Sequence, residues 1–218
     1  MNIFAVSDIH GATRSIEKAA TLIRQADWVV IAGDITRTKT RAEAAEIISC
    51  LEQYTQCILA VHGNWDRLEV KELLEEKGYS LHGKGIMLDG MGFFGLGGSS
   101  PTPIKTATEY TEQEIDLTLQ KGYEQVRQAA QIILISHVPP RGVRDRSFIG
   151  LHGGSHSLRA FLTKNAVQLC LCGHIHEAAG IEHFQKTIVA NSGSFKRGRY
   201  LSVKTGRDFL VVPGRVDY

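Results

Sequence analysis

Five apolar runs of the sequence each lead into residues whose oxygen or nitrogen atoms bind hard or borderline metal ions. Residues 4–7 precede Asp8-Ile9-His10, and residues 29–33 precede Asp34. Residues 58–61 precede His62-Gly63-Asn64-Trp65-Asp66. Residues 132–136 precede His137, and residues 168–172 precede Gly173-His174-Ile175-His176. Alone, D-x-H, G-D and G-N are ordinary turns or helix caps, and a single His at a strand end is an ordinary rim residue. H-x-H is more pointed, because alternate strand residues face one way and both can meet one ion. The information is joint. If the runs are strands that end on one sheet edge, seven side chains converge there: Asp8, His10, Asp34, Asn64, His137, His174 and His176. A shell mixing imidazole and carboxylate suits Mn, Fe, Zn or Co better than Mg or Ca, which favour oxygen alone.

The elements that must position these residues are legible. Residues 2–7 read as a short buried strand, and residues 13–25 as a helix with Ile16, Ala19, Ala20 and Ile23 on one face. Residues 27–33 are β-branched and strand-like. A second amphipathic helix puts Ala44, Ile47, Ile48 and Leu51 together. A third strand over 57–63 and a third helix ending at Gly78 complete a strand–helix alternation. That pattern implies α/β architecture with the first three strands parallel. Residues 85–98 then read as a hairpin. Thr111 and Glu114 have capping-box spacing at the head of a helix running to about residue 129. Residues 132–137 form another strand, and a long Pro/Gly loop (138–154) follows it. Ser155 caps a further helix, and short strands run to the C-terminus. A single domain over 1–218 with two sheets is the simplest organisation.

Composition narrows the partners. The chain has 218 residues and a net charge of +2, with 43% hydrophobic and 22% charged residues, so it folds as an ordinary globular protein. The modest charge disfavours nucleic acid without excluding it. The start has no signal-peptide pattern, and no apolar run reaches membrane-span length, so no membrane role is expected. Cys50, Cys57, Cys170 and Cys172 make no metal or redox motif, and Cys170 and Cys172 read as small buried residues on one strand face. The expected location is the cytoplasm.

Taken in order, Asp8-Ile9-His10, Gly33-Asp34, Gly63-Asn64-Trp65-Asp66, His137 and Gly173-His174-Ile175-His176 closely resemble the motif series of the calcineurin-like metallophosphoesterases. The resemblance implies a four-layer sandwich, two mixed β-sheets packed face to face with helices on the outside. It also implies two divalent metal ions, manganese foremost, with Fe, Zn, Co or Ni as alternatives. One would be held by Asp8, His10, Asp34 and His176, the other by Asp34, Asn64, His137 and His174, with Asp34 bridging. The implied activity is that of a phosphohydrolase, a phosphodiesterase first, using a metal-bridging hydroxide for in-line attack on phosphorus. The substrate would be a small phosphoester. A phosphomonoesterase, a nuclease and a non-catalytic metal-binding scaffold are the alternatives. Four histidine ligands must be neutral to bind, so metal affinity should fall as pH drops through about 6.

One departure from the family pattern matters. Many members carry His after the G-N pair as proton donor to the leaving group, and this chain has Trp65. His152 is the candidate replacement donor, with Asp34 and Asn64 as the other catalytic residues. Trp65 would wall the substrate site beside Asn64. Arg141, in a loop with Arg144, Asp145 and Arg146, would bind phosphate oxygens bidentately. His62 is expected to support a ligand, and His82 and His183 to lie on the surface. Lys196, Arg197 and Arg199 form a second small basic cluster.

Overall fold

A computed structural model describes residues 1–217. Strands β1 (Asn2–Val6), β2 (Trp28–Ala32) and β3 (Ile58–Val61) pair in parallel, as the alternation implies. The first helix is two short ones, α1 (Thr13–Lys18) and α2 (Ala20–Gln25), because Ala19 at ψ +1° interrupts it. The Thr40 side chain caps α3 (Arg41–Glu52), which buries Ala44, Ile47, Ile48 and Leu51. Helix α4 (Leu68–Glu76) buries Val70, Leu73 and Leu74. β4 (Gly85–Leu88) and β5 (Met91–Leu96) turn through Asp89 and Gly90, whose φ values of +48° and +78° suit a tight hairpin.

Helix α5 (Glu112–Glu124) carries the Thr111–Glu114 capping box and stops short of residue 129. The chain turns there so that Val126 packs against Gly92, where a Cβ would stand 2.7 Å from the valine's own. After β6 (Gln131–Ser136) and the long loop, Ser155 caps α6 (His156–Lys164). β7 (Leu169–Cys172), β8 (Gly180–Phe184), β9 (Thr187–Asn191), β10 (Arg199–Lys204) and β11 (Leu210–Arg215) complete the chain.

One sheet runs β11-β10-β1-β2-β3 and the other β4-β5-β6-β7-β9-β8. Both are mixed: β10 is antiparallel to β1 and β11, β4 to β5, and β8 to β9. Strand periodicity divides the core. Ile3, Ala5, Val30 and Val61 of one sheet meet Phe93, Ile133, Ile135 and Leu171 of the other. Their neighbours in sequence face outward, onto α1–α4 on one side and α5–α6 on the other. Cys170 and Cys172 lie in the outer cluster with Leu158 and Phe161 of α6. Helices, sheet, sheet and helices therefore form four layers, and the carboxyl ends of β1, β2, β3, β6 and β7 carry the predicted ligands. No helix among the described residues is long and apolar enough to cross a membrane.

Candidate metal centre

The loops after these strands are laced together by main-chain hydrogen bonds. Asp8 N donates to the Gly33 carbonyl and His10 N to the Asp34 carbonyl, both at 3.0 Å. Gly173 N donates to the His137 carbonyl at 3.1 Å, and His174 N to Asp8 Oδ2 at 3.2 Å. Each chain must reverse sharply as it leaves its strand. Asp8, His10, Asp34 and His174 do so at φ +55°, +45°, +52° and +67°. Non-glycine residues rarely adopt this left-handed region, and where they do at a cluster of polar groups the strain is held by the surroundings. The motif glycines serve the same crowding. A Cβ on Gly63 would lie 2.0 Å from Asp34 Oδ1, and one on Gly173 2.6 Å from Asp8 Oδ2.

All seven predicted ligands reach one region. His176 Nε2 is 3.0 Å from Asp8 Oδ1. His10 Nε2 is 3.9 Å from the same oxygen and 3.6 Å from Asp34 Oδ2. The other Asp34 oxygen, Oδ1, lies 3.4 Å from His137 Nε2. One carboxylate therefore turns an oxygen toward each of two imidazoles. Two compact donor groups result, Asp8–His10–His176 and Asp8–Asp34–His137, with Asp8 common to both. His174 stands outside them, its ring centroid 5.1 Å from that of His137.

The donor chemistry fits a divalent cation. His10 Nδ1 lies 3.2 Å from the Thr36 carbonyl and His137 Nδ1 2.8 Å from the Ala32 carbonyl. Carbonyls only accept, so in the neutral rings both protons sit on Nδ1 and both Nε2 atoms present lone pairs. Asn64 gives its amide N–H to Thr106 Oγ1 at 2.8 Å, which turns its Oδ1 toward His137 Nε2, 2.7 Å away. Nitrogen and oxygen lone pairs then face each other with no proton between them, the arrangement a cation completes. Asp8 Oδ1 is buried, with His176 Nε2 as its neighbour.

The electrostatics divide the donors. Burial opposes protonation of His176, but the Asp8 carboxylate more than offsets it and raises the ring. Burial raises Asp34 well above the ordinary carboxylate range, reinforced by the charges of Asp8 and Asp66. Burial also opposes ionisation of Asp8, but the His176 and His137 imidazoles and the Ser7 hydroxyl more than offset it and hold the group low. Burial pushes His174 down to about 3 and lowers His137, keeping both rings neutral as ligands must be.

An open cleft of about 440 Å³ leads to this centre. Its floor is His10, Asp34, Asn64, His174 and His176; its walls are Arg37, Trp65, Ile104, Thr106 and Lys196. Trp65 is fixed on three sides. Its backbone N–H donates to Asp34 Oδ1 at 2.8 Å and its indole N–H to the Arg37 carbonyl at 2.8 Å, and Lys39 Nζ lies 3.8 Å over its ring.

The structure does not bring His152 or Arg141 into this lining. His152 Nδ1 pairs with the buried carboxylate of Asp145 at 2.7 Å, and the ring borders a separate depression with Glu177 and Glu182. The Arg141 guanidinium donates to the His152 carbonyl at 2.9 Å, closing its own loop. His62 supports no ligand side chain: its Nε2 contacts the Tyr110 hydroxyl at 3.1 Å. His82 is not a surface residue. Gly97 N–H donates to its Nδ1 at 3.0 Å, and its ring stacks on Tyr110 and packs at a tilt against His62. His183 is exposed. Lys196 and Arg197 occupy a short 3₁₀ turn after β9, which carries Lys196 to the cleft.

Sequence reasoning missed Asp66 as a brace and Arg37 as a cleft residue. Asp66 stood in the G-N-x-D pattern, which was its only signal. Arg37 had none.

A family model described as the calcineurin-like phosphoesterase superfamily domain matches residues 1–211. The chain belongs to that superfamily. An uncharacterized protein of Methanocaldococcus jannaschii is 33% identical over 203 residues, covering 88% of this chain and 87% of that one. Two solved structures share the calcineurin-like fold. A dimetal phosphatase from Danio rerio superposes with a TM-score of 0.69 at 13% identity, covering 100% of this chain and 96% of that one. A novel archaeal phosphodiesterase superposes at 0.56 and 16% identity, covering 98% and 100%.

Proposed function

We propose that this chain is a cytoplasmic metal-dependent phosphohydrolase that acts on small phosphodiesters. The observation that carries the reading is the Asp34 carboxylate, with one oxygen 3.6 Å from His10 Nε2 and the other 3.4 Å from His137 Nε2. A carboxylate so placed suits two divalent ions, and manganese accepts this mix of nitrogen and oxygen donors. Asp8, His10, Asp34 and His176 would hold one ion; Asp34, Asn64, His137 and His174 would hold the other. When bound, such a pair supplies Lewis acidity and a water of lowered pKa. The chain's own part is to hold the donors in place, keep the His137 and His174 rings neutral and shape the cleft. Asn64, fixed by Thr106, stands on the cleft floor, where its amide would meet a phosphoryl oxygen of a bound substrate, and Trp65 lines the same cleft. The phosphodiesterase among the structural relatives supports this choice of substrate, and the net charge of +2 weighs against a nuclease.

The test is hydrolysis of bis(4-nitrophenyl) phosphate with added Mn²⁺. Turnover that vanishes on chelation and in Asp34→Asn supports the reading. Protein with two equivalents of metal that hydrolyses neither phosphodiesters nor phosphomonoesters overturns it in favour of a binding scaffold.

A further inference from the structure

Outside the candidate ligands, the cleft lining holds no His, Cys, Tyr, Asp or Glu among the described residues. Apart from the Lys196 ammonium, no lining group outside the ligand set is a proton-donating acid. What the lining does hold is positive charge, on Arg37 and Lys196. Asp34 and Asn64 lie deepest, at 6% and 4% exposure, whereas Arg37 and Lys196 are exposed at the rim. In an in-line displacement the leaving group departs opposite the nucleophile. A nucleophile rising from the floor sends it toward that rim.

Arg37 is the more firmly built of the two cations. It follows Thr36, whose carbonyl orients His10 and whose N–H and hydroxyl are held by Asp66. Its own N–H donates to Glu43 Oε2 at 3.0 Å, and its carbonyl accepts the Trp65 indole N–H. Glu43 also takes the Thr38 N–H and hydroxyl, so its charge is committed to the loop. The Arg37 charge acts on the Glu43 carboxylate, whose Oε2 is already taken by the loop N–H and hydroxyl groups.

We propose that Arg37 is the leaving-group residue of this site, receiving the departing oxygen as an oxyanion. A water molecule gives a proton to solvent and its oxygen bonds to phosphorus; the bond from phosphorus to the leaving oxygen breaks, and its electron pair goes to that oxygen. The oxyanion is paired by the guanidinium and takes its proton later from bulk water. Arginine stays protonated, so it stabilises charge without donating a proton. The substrate class follows: esters whose leaving group is a weakly basic oxyanion flanked by an aromatic ring that Trp65 can face. This rests on the phosphohydrolase reading and specifies its leaving group.

The experiment is a series of aryl methyl phosphate diesters, from 4-nitrophenyl to phenyl, run on manganese-loaded wild type, Arg37→Met and Arg37→Lys. Metal content is measured alongside. Arg37→Met should keep its metal, lose about 100-fold in kcat with little change in KM, and lose most for the most basic leaving group. Arg37→Lys should recover part of the rate, and guanidinium ions added to Arg37→Met should restore activity. Equal rates in wild type and Arg37→Met, or a uniform loss that guanidinium does not rescue, overturns this assignment. If no substrate in the series is turned over by any metal-loaded protein, the phosphohydrolase reading itself fails, a distinct result.

Discussion

Asp66 accepts both the backbone N–H and the hydroxyl of Thr36, at 2.9 and 2.7 Å. Its second oxygen accepts Ile35 N–H at 3.1 Å and Gly63 N–H at 2.8 Å. One fully buried carboxylate thus ties the loop after β2, which bears Asp34, to the loop after β3, which bears Asn64. Asp66→Asn replaces one accepting oxygen with an amide that donates toward N–H groups. The expected result is a 10- to 100-fold weaker affinity for Mn²⁺, roughly what loss of a supporting hydrogen bond does at metal sites. Stability should drop by about 2–3 kcal/mol. Calorimetric metal titration and urea melts measure both, and unchanged affinity would show that the two loops hold without it.

Gly63→Ala should damage the centre more than an alanine introduced at a glycine in open space. Its Cβ would sit 2.0 Å from Asp34 Oδ1 and 2.2 Å from Asp34 N, atoms that cannot move without shifting a candidate ligand. Gly78 provides the contrast, with φ at +76° and open space around its Cβ. Gly78→Ala should cost about 1 kcal/mol and leave metal binding intact, whereas Gly63→Ala should abolish high-affinity binding. Equal metal affinities in the two variants would contradict this.

Metal binding should stabilise the fold. Metal-free protein, prepared by chelation, should melt lower than protein with Mn²⁺ restored. The gain should grow with ion concentration, to about 2.7 kcal/mol at 100 times Kd. Differential scanning calorimetry across a manganese series is the check, and a melting temperature independent of metal would count against a site in the folded state.

His82 makes stability depend on pH. Burial, with the charges of Lys71 and Lys121, pushes it from 6.5 down to about 4. Between those values the unfolded chain binds a proton that the folded chain refuses. The stabilisation is complete above about pH 6.5 and is lost as pH falls toward 4, by about 3 kcal/mol in all. His82→Gln keeps an acceptor for Gly97 N–H but does not titrate. In urea melts of metal-free protein, its stability should fall less than that of the wild type between pH 7 and pH 4. Parallel curves would mean that His82 is not the titrating group.

The β-strand cores and the ligand-bearing ends were legible because they obey local rules. Short continuous apolar runs marked β2 and β6, and Asp and His stood directly after such runs. Tertiary choices were not legible. Nothing local distinguishes His152, which turns to Asp145, from a histidine that reaches a cleft. His82 looked isolated because its partners His62 and Tyr110 are 20 and 28 residues away. Arg37 gained its place from the Trp65 indole and the Glu43 carboxylate, contacts made across loops. The break at Ala19 falls inside an unbroken helical pattern.

The left-handed backbones of Asp8, His10, Asp34 and His174 set robustness against chemistry in this molecule. Glycine at any one of them would relax the main chain by roughly 1 kcal/mol while removing a donor. Breeding the protein for heat tolerance alone would therefore erode His174 first, since Asp8, His10 and Asp34 also hold loop groups through their side chains. A descendant lineage no longer held to metal binding should carry the same record, with a small residue where that donor stood.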